Sequence, residues 1–440
     1  MRHAFVLCCL LLLPGTALAE TLTLSAAVQR GLERNNSHLA AAADAAAARS
    51  AADLAASYQL PQLTFSENLV WTDEPGTSLF LSVNQERLQL RSDADYYNNA
   101  ATRSDFQSRL QLRQSLYDPN IRFSKLAADK QAQAAAMGVQ ASGEQLALNI
   151  LTAYLQIQLA QAQRDWATVG LSESRELLRL AQEREQAGTG LKAERLRAEA
   201  QVAQSQQQQM AAAHGVEMAQ WQLALQVGAD QPVAISAPLS ADQLPEPPPA
   251  TDALRPDLSA LELQVEAAEL NSRKAAANWQ PQLAAGASYT LHDRDYPFSD
   301  GADSWLVNAQ LNWVLFDGFG RSHERAKARA EERSLRNRQR QALRQARMDQ
   351  ETARLQTATL RRQLVAVRAA LAATEESSRL LRQRYRAGLS PLADLLRLQS
   401  QLEQHRAELA QSETRLVLSL GEQLFLQGRL LTTLHPEKGE

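Results

Sequence analysis

The side chains that could make or break bonds are few and scattered. Beyond His3, histidines stand at His38, His214, His292, His323, His405 and His435, with no pair at metal-ligand spacing. The only cysteines are the neighbours Cys8 and Cys9. No Gly-rich phosphate loop, Gly-x-Ser-x-Gly or paired-acid motif occurs. The sequence therefore gives no support to an enzyme, and none is expected; nor is a cofactor or a resident metal. What does recur is charge at a fixed place: Glu194 follows Gly188 by six residues, and Asp394 follows Gly388 by six. A second charged stretch, residues 321–347, holds ten Lys/Arg against three Glu.

The compartment comes from the first residues. Arg2 and His3 precede a nine-residue apolar run, Phe5 to Leu13, too short to span a bilayer. Pro14 and Gly15 break it, and Ala17-Leu18-Ala19 is a small-x-small cleavage pattern. Residues 1–19 read as a secretory signal peptide, with Glu20 the first mature residue. Both cysteines would leave with it, so the exported chain has no thiol. Phe5-Val6-Leu7 before Cys8 is a poor lipid-anchor signal, so the mature start is expected to be unlipidated. An exported chain rarely meets nucleic acid, and the basic stretch reads instead as a solvated or lipid-proximal helix face.

The elements that position these charges come in duplicate. Gln59-Leu60-Pro61-Gln62-Leu63 recurs as Trp279-Gln280-Pro281-Gln282-Leu283, and Ser115-Leu116-Tyr117-Asp118 as Val314-Leu315-Phe316-Asp317. Arg184-Glu185-Gln186-Ala187-Gly188 recurs as Arg384-Tyr385-Arg386-Ala387-Gly388. The expected organisation is a first repeat over 20–228, a Pro-rich linker over 229–256, a second repeat over 257–435 and a tail over 436–440. Each repeat reads as helix, two strands, helix, helix. A 45% hydrophobic but only 5% aromatic composition suits long helices packed by small side chains. The longest run free of Gly and Pro, 321–387, predicts a rod of about 100 Å, as does its counterpart at 122–187. Shorter helices at 24–58, 191–227, 254–279 and 391–428 could stack end to end beside these rods. Leu395, Leu402, Leu409 and Leu416 recur every seven residues, the period of a left-handed supercoil.

The strands alternate apolar and polar residues. Trp305, Val307, Ala309, Leu311, Trp313 and Leu315 share one face, as do Leu283, Ala285, Ala287, Tyr289 and Leu291. Phe106, Leu110, Leu112 and Leu116 form a third row; Leu63, Phe65, Leu69 and Trp71 form a fourth, with Glu67 as its exception. This fits membrane β-strands, and a half-buried soluble sheet gives the same pattern. Beyond residue 19 no stretch is long and apolar enough for a transmembrane helix, so a membrane reading requires a closed barrel. Four strands cannot close one; two chains would supply eight and three would supply twelve.

In this order and in duplicate, the motifs resemble the TolC-type outer-membrane efflux family over essentially the whole mature chain. They include the opening helix Leu24 to Asn36, Pro61-Gln62-Leu63 and Pro281-Gln282-Leu283 before the strands, and Tyr117-Asp118-Pro119-Asn120 and Leu315-Phe316-Asp317-Gly318 after them. Arg255-Pro256-Asp257-Leu258 opens the second copy, and the turns Ala187-Gly188-Thr189-Gly190 and Ala387-Gly388-Leu389-Ser390 complete the set. The resemblance implies a mainly α fold with a membrane β part. Its long antiparallel helices would form a coiled-coil barrel, with four strands per chain in a shared twelve-stranded trimeric β-barrel. It implies a homotrimer in outer-membrane lipid, giving passive exit for a tripartite efflux pump or type I secretion system. A periplasmic adaptor and an inner-membrane transporter would be its partners. It further implies that the tips Gly188, Thr189, Gly190, Gly388, Leu389 and Ser390 meet the adaptor, and that Tyr385 helps hold the tip closed. In such a trimer Asp394 and Glu194 would form acidic rings. Arg397 and Ser390 depart from the family pattern, and an Asp394–Arg397 pair would neutralise part of the ring. The rival reading is a periplasmic coiled-coil adaptor or structural protein, which needs no lipid-facing Trp305 or Trp313.

Overall fold

The computed structural model describes residues 20–246, 255–299 and 301–435. The signal peptide read at 1–19, the proline run within the linker and the tail at 436–440 lie outside the described residues. In chain order the elements are β1 (Glu20–Leu22), α1 (Leu24–Arg34), α2 (Asn36–Ser57), β2 (Gln62–Thr72), α3 (Pro75–Asn84), α4 (Ala94–Asn98) and β3 (Arg103–Tyr117). Then come α5 (Pro119–Gln186), α6 (Lys192–Gln226), β4 (Val233–Ile235), a 3-10 turn (Ala241–Gln243), α7 (Pro256–Ala277), β5 (Gln282–Asp293) and β6 (Ala302–Asn312). The chain ends on α8 (Gly320–Arg386), α9 (Leu392–Leu426) and α10 (Leu430–Leu434). Both copies run helix, strand, strand, long helix, helix, the first with its opening helix in two pieces and with α3 and α4 between its strands. The chain divides into two compact units, each built from both copies.

Among the described residues the helical unit takes 20–42, 138–246, 255–257 and 343–435. Its core joins Val28 of α1, Ile150, Leu151, Leu155 and Ile157 of α5, Leu223 of α6 and Leu424 of α9, all essentially inaccessible to water. Two glycines permit close helix approach. A Cβ at Gly31 would lie 2.5 Å from Ile150 Cδ1, and one at Gly421 would overlap Leu151 Cδ2. The seven-residue spacing is realised, because Leu395, Leu402 and Leu416 are all buried.

Two expectations are corrected here. The helix read over 24–58 is two helices, because Asn35 adopts an extended backbone and its side chain caps α2. Asn35 Oδ1 accepts from the N–H groups of Ser37 (3.0 Å) and His38 (3.2 Å), while Nδ2 donates to the Gln226 carbonyl at 2.9 Å. The first part of the supposed linker is also ordered structure. β4 pairs in parallel with β1 at the chain's start, Glu20 opposite Val233. Helix α5 anchors the segment just beyond β4: Tyr154 Oη donates to the Ala237 carbonyl at 2.7 Å, and the Gln158 amide exchanges two bonds with the Leu239 backbone.

The sheet unit, from Ala43–Met137 and Leu258–Ala342, is a four-stranded antiparallel sheet in the order β2-β3-β5-β6. The β3–β5 seam joins the two copies, with Leu112 opposite Ala287. The first copy carries two further helices, α3 and α4, between β2 and β3. Cross-strand register puts Leu63, Phe65, Glu67, Leu69 and Trp71 on one face with Phe106, Leu110 and Leu112, then Leu283, Ala287 and Tyr289, then Trp305, Val307 and Leu311. Trp71 and Trp305 are about three-quarters exposed. The β6 alternation stops short of Trp313 and Leu315: Trp313 Nε1 donates to the Trp279 carbonyl at 3.1 Å as the chain turns toward α8. Among the described residues β2 and β6 are edges without a second partner, and no helix is long and apolar enough to cross a membrane.

Candidate functional site

Both duplicated turns close helical hairpins by the same backbone device. Gly188 and Gly388 sit at φ of 75° and 77°, the left-handed region where a side chain is strained. Thr189 N–H then reaches back to the Arg184 carbonyl, and Leu389 N–H to the Arg384 carbonyl, each at 2.9 Å. These bonds satisfy the carbonyls left over at the ends of α5 and α8. Gly188, Thr189, Gly388 and Leu389 are exposed, whereas Gly190 and Ser390 are half-buried.

Beneath the turns lies a small apolar core of Leu177, Ala181, Ala198, Leu392, Leu395 and Tyr385. Tyr385 is completely buried, and among the described residues its hydroxyl makes no hydrogen bond of ordinary geometry, Arg184 being the nearest donor. Arg184 from the other hairpin lies over the Tyr385 ring, 4.8 Å from its centre. The same guanidinium donates to the carbonyls of Tyr385 and Thr189, both at 3.3 Å. Burial holds the Tyr385 phenol above its ordinary range, and the nearby Glu194 carboxylate adds to this while Arg184 opposes it. The structure therefore brings Tyr385, Glu194 and Thr189 together around Arg184. Sequence reasoning gave Arg184 no role, although its place in the duplicated motif was a signal.

Asp394 and Arg397 are exposed on α9, outside this cluster. Among the described residues of the single chain no ion pair joins Asp394 to Arg397. One helical turn places such residues near each other, but an exposed pair gains too little to fix two long side chains.

Further rungs, none of them foreseen, join the two hairpins or clasp the first one. Arg382 and Arg386 of α8 reach Glu173 and Glu176 of α5, each at 3.3 Å. Arg195 of α6 bonds Glu185 of α5 at 2.8 Å and Glu199 on its own helix. Arg406 of α9, almost fully buried, lies 4.7 Å from the centre of the Trp166 ring and 3.5 Å from Glu173. Glu403 close by is held above the ordinary carboxylate range by burial and by the charge of Glu173. Among the described residues no group of three or more His, Cys, Asp or Glu could hold a metal ion. The arrangement is suited to holding helices together or letting them part, rather than to bond chemistry.

A family model for outer membrane efflux proteins matches residues 27–229 and 249–421. The chain belongs to the outer membrane efflux protein family. Solved structures agree in fold. The outer membrane protein VceC of Vibrio cholerae is 17% identical, with a TM-score of 0.77 over 92% of this chain and 96% of that one. The open state of the MtrE outer membrane channel of Neisseria gonorrhoeae is 19% identical, with a TM-score of 0.78 over 94% and 91%. The CmeC outer membrane channel of Campylobacter jejuni is 15% identical, with a TM-score of 0.78 over 92% and 86%. No curated protein sequence matches significantly. This family of TolC-type outer-membrane channels is not one of enzymes. Membership favours an outer-membrane channel over the rival reading of a periplasmic adaptor or structural protein.

Proposed function

We propose that three copies of this chain form one outer-membrane duct. Their sheets close a twelve-stranded barrel, and their helical units form its periplasmic part. The duct gives passive exit for substrates of a tripartite pump or type I secretion system, with a periplasmic adaptor and an inner-membrane transporter supplying cargo and energy. The chain arrives by a cleaved signal peptide at 1–19 and carries no lipid. The observation that carries this reading is the sheet, whose exposed apolar face from Trp71 to Trp305 ends in two edges unpaired among the described residues. An unpaired backbone group in hydrocarbon costs several kcal/mol, so the edges call for further copies of the same strands.

In the proposed trimer the exposed turn residues Gly188, Thr189, Gly388 and Leu389, flanked by Gly190 and Ser390, meet the adaptor's hairpin. Tyr385, Glu194, Asp394 and Arg397 belong to the aperture: Tyr385 holds the hairpins together, and Asp394 presents charge to the passage. The test pairs Leu389→Arg with Thr189→Arg, which leave the left-handed glycines in place. Export of a pump substrate from cells should be lost, while trimers still extract from the outer membrane. Full transport by both variants would remove the adaptor-contact role. Recovery of the native chain as a soluble periplasmic protein would refute the duct.

A further inference from the structure

Resting on the duct reading, we propose that the barrel lumen is an anion-selective collar, set by Arg109 and Arg113 and extended outward by Arg103. The face of the sheet opposite the apolar rows carries Gln62, Thr64, Ser66 and Asn68 of β2, then Arg103, Asp105, Gln107, Arg109, Gln111 and Arg113 of β3. It continues with Gly286, Ser288, Thr290 and His292 of β5. In a membrane barrel the polar face looks into the lumen. Its one acid, Asp105, is fully buried and already engaged: His292 Nδ1 and Gln85 Nε2 each lie 2.8 Å from its carboxylate, and Gln107 donates at 2.9 Å.

Asp105 follows Arg103 along this face, but Arg109 and Arg113 have no carboxylate opposite them on either neighbouring strand. Arg109 is flanked across the strands by Ser66 and Thr290, and its Nε donates to Thr290 Oγ1 at 3.2 Å. Arg113 is flanked by Gln62 and Gly286. Arg103 lies opposite Thr72 and reaches only the Tyr96 hydroxyl, at 3.2 Å. Among the described residues none of the three is in an ion pair. A neighbouring copy pairing through β6 would add only Ala302, Ser304, Leu306, Asn308, Gln310 and Asn312 to this face, because Asp303 is on the apolar one. Arg109 and Arg113 are four residues apart on one strand, about 13 Å. Their fields overlap at low salt and separate once the screening length falls to about 8 Å. A low-dielectric wall lined by one sign of charge concentrates the opposite ion. The collar therefore favours solutes bearing carboxylate, sulfate or phosphate groups over cations in the membrane stretch.

The test is the reversal potential of the full-length trimer in a planar bilayer under a KCl gradient, compared with R109Q/R113Q and R109K/R113K. The glutamine variant should lower the chloride-to-potassium permeability ratio roughly twofold or more at low salt, with less effect at high salt. The lysine variant, which keeps the charge, should match the wild type. Pores of the glutamine variant that conduct with an unchanged ratio overturn the collar while leaving the duct intact. A lysine variant as altered as the glutamine one shows that charge is not the cause and overturns it too. A wild-type protein that gives no conductance overturns the duct reading, and the collar with it.

Discussion

In the proposed aperture Tyr385 would act through its ring and not through its hydroxyl, which makes Tyr385→Phe and Tyr385→Ala opposite experiments. The ring is fully buried between the hairpins, with Arg184 above it, and among the described residues the hydroxyl makes no hydrogen bond of ordinary geometry. Leaving a buried hydroxyl unpaired costs about 1–3 kcal/mol, so removing it in Tyr385→Phe should be neutral or mildly stabilising for the closed tip. Tyr385→Ala removes the whole ring, a loss of about 3–5 kcal/mol. Arg184→Ala falls between them. It forfeits a cation–π contact of about 0.5–2 kcal/mol and two long bonds to carbonyls. A total of about 1–3 kcal/mol shifts the closed-to-open ratio roughly 5- to 150-fold. Single-channel recording reads the result as the fraction of time in the high-conductance level. Tyr385→Phe should record as wild type, Arg184→Ala should open more often, and Tyr385→Ala should stay open. If Tyr385→Phe opens the pore as fully as Tyr385→Ala, the hydroxyl is the latch and the reasoning fails.

Two predictions concern the helical unit. Gly421→Ala pushes a methyl into fully buried Leu151, an overpacking cost of about 1–3 kcal/mol that outweighs the gain in helix propensity. Gly215→Ala, with nothing within 4 Å of the added carbon, should instead stabilise by about 1 kcal/mol. Chemical denaturation of the two variants should therefore move in opposite directions; equal shifts would count against the packing argument. Glu144 of α5 is buried and accepts the Leu431 N–H at 3.1 Å, and burial raises its carboxyl above the usual range. Protonated in the folded chain at a pH where the unfolded chain has already ionised, it contributes stability that is full below the unfolded pKa. That stability is lost as pH rises through the folded value. Hydrogen exchange of residues 430–434, corrected for intrinsic rate, should show protection falling over that window in the native chain and flat in Glu144→Gln.

The helices and the glycine turns were legible because their signals are local. Leu395, Leu402 and Leu416 mark a seven-residue seam that is buried, and Gly188 and Gly388 mark turns that need a positive φ. The break at Asn35 carried a signal too, a capping residue before Asn36-Ser37, but the alanine-rich run beyond it favours unbroken helix. The β1–β4 pair had none, since three-residue strands 213 positions apart leave no periodicity to read. The tip is the instructive case, because its chemistry lies where the two copies differ. At an offset of 200 residues, Glu185 and Arg195 correspond to Tyr385 and Leu395. In the first copy these positions form an ion pair at 2.8 Å; in the second they are buried together in the apolar core. One hairpin is thus clasped by charge at its surface, and the other offers a ring for Arg184 to cover. Where a duplicated frame keeps its glycines and exchanges an ion pair for an aromatic, the exchange itself marks the place at which one copy has been fitted to hold the other.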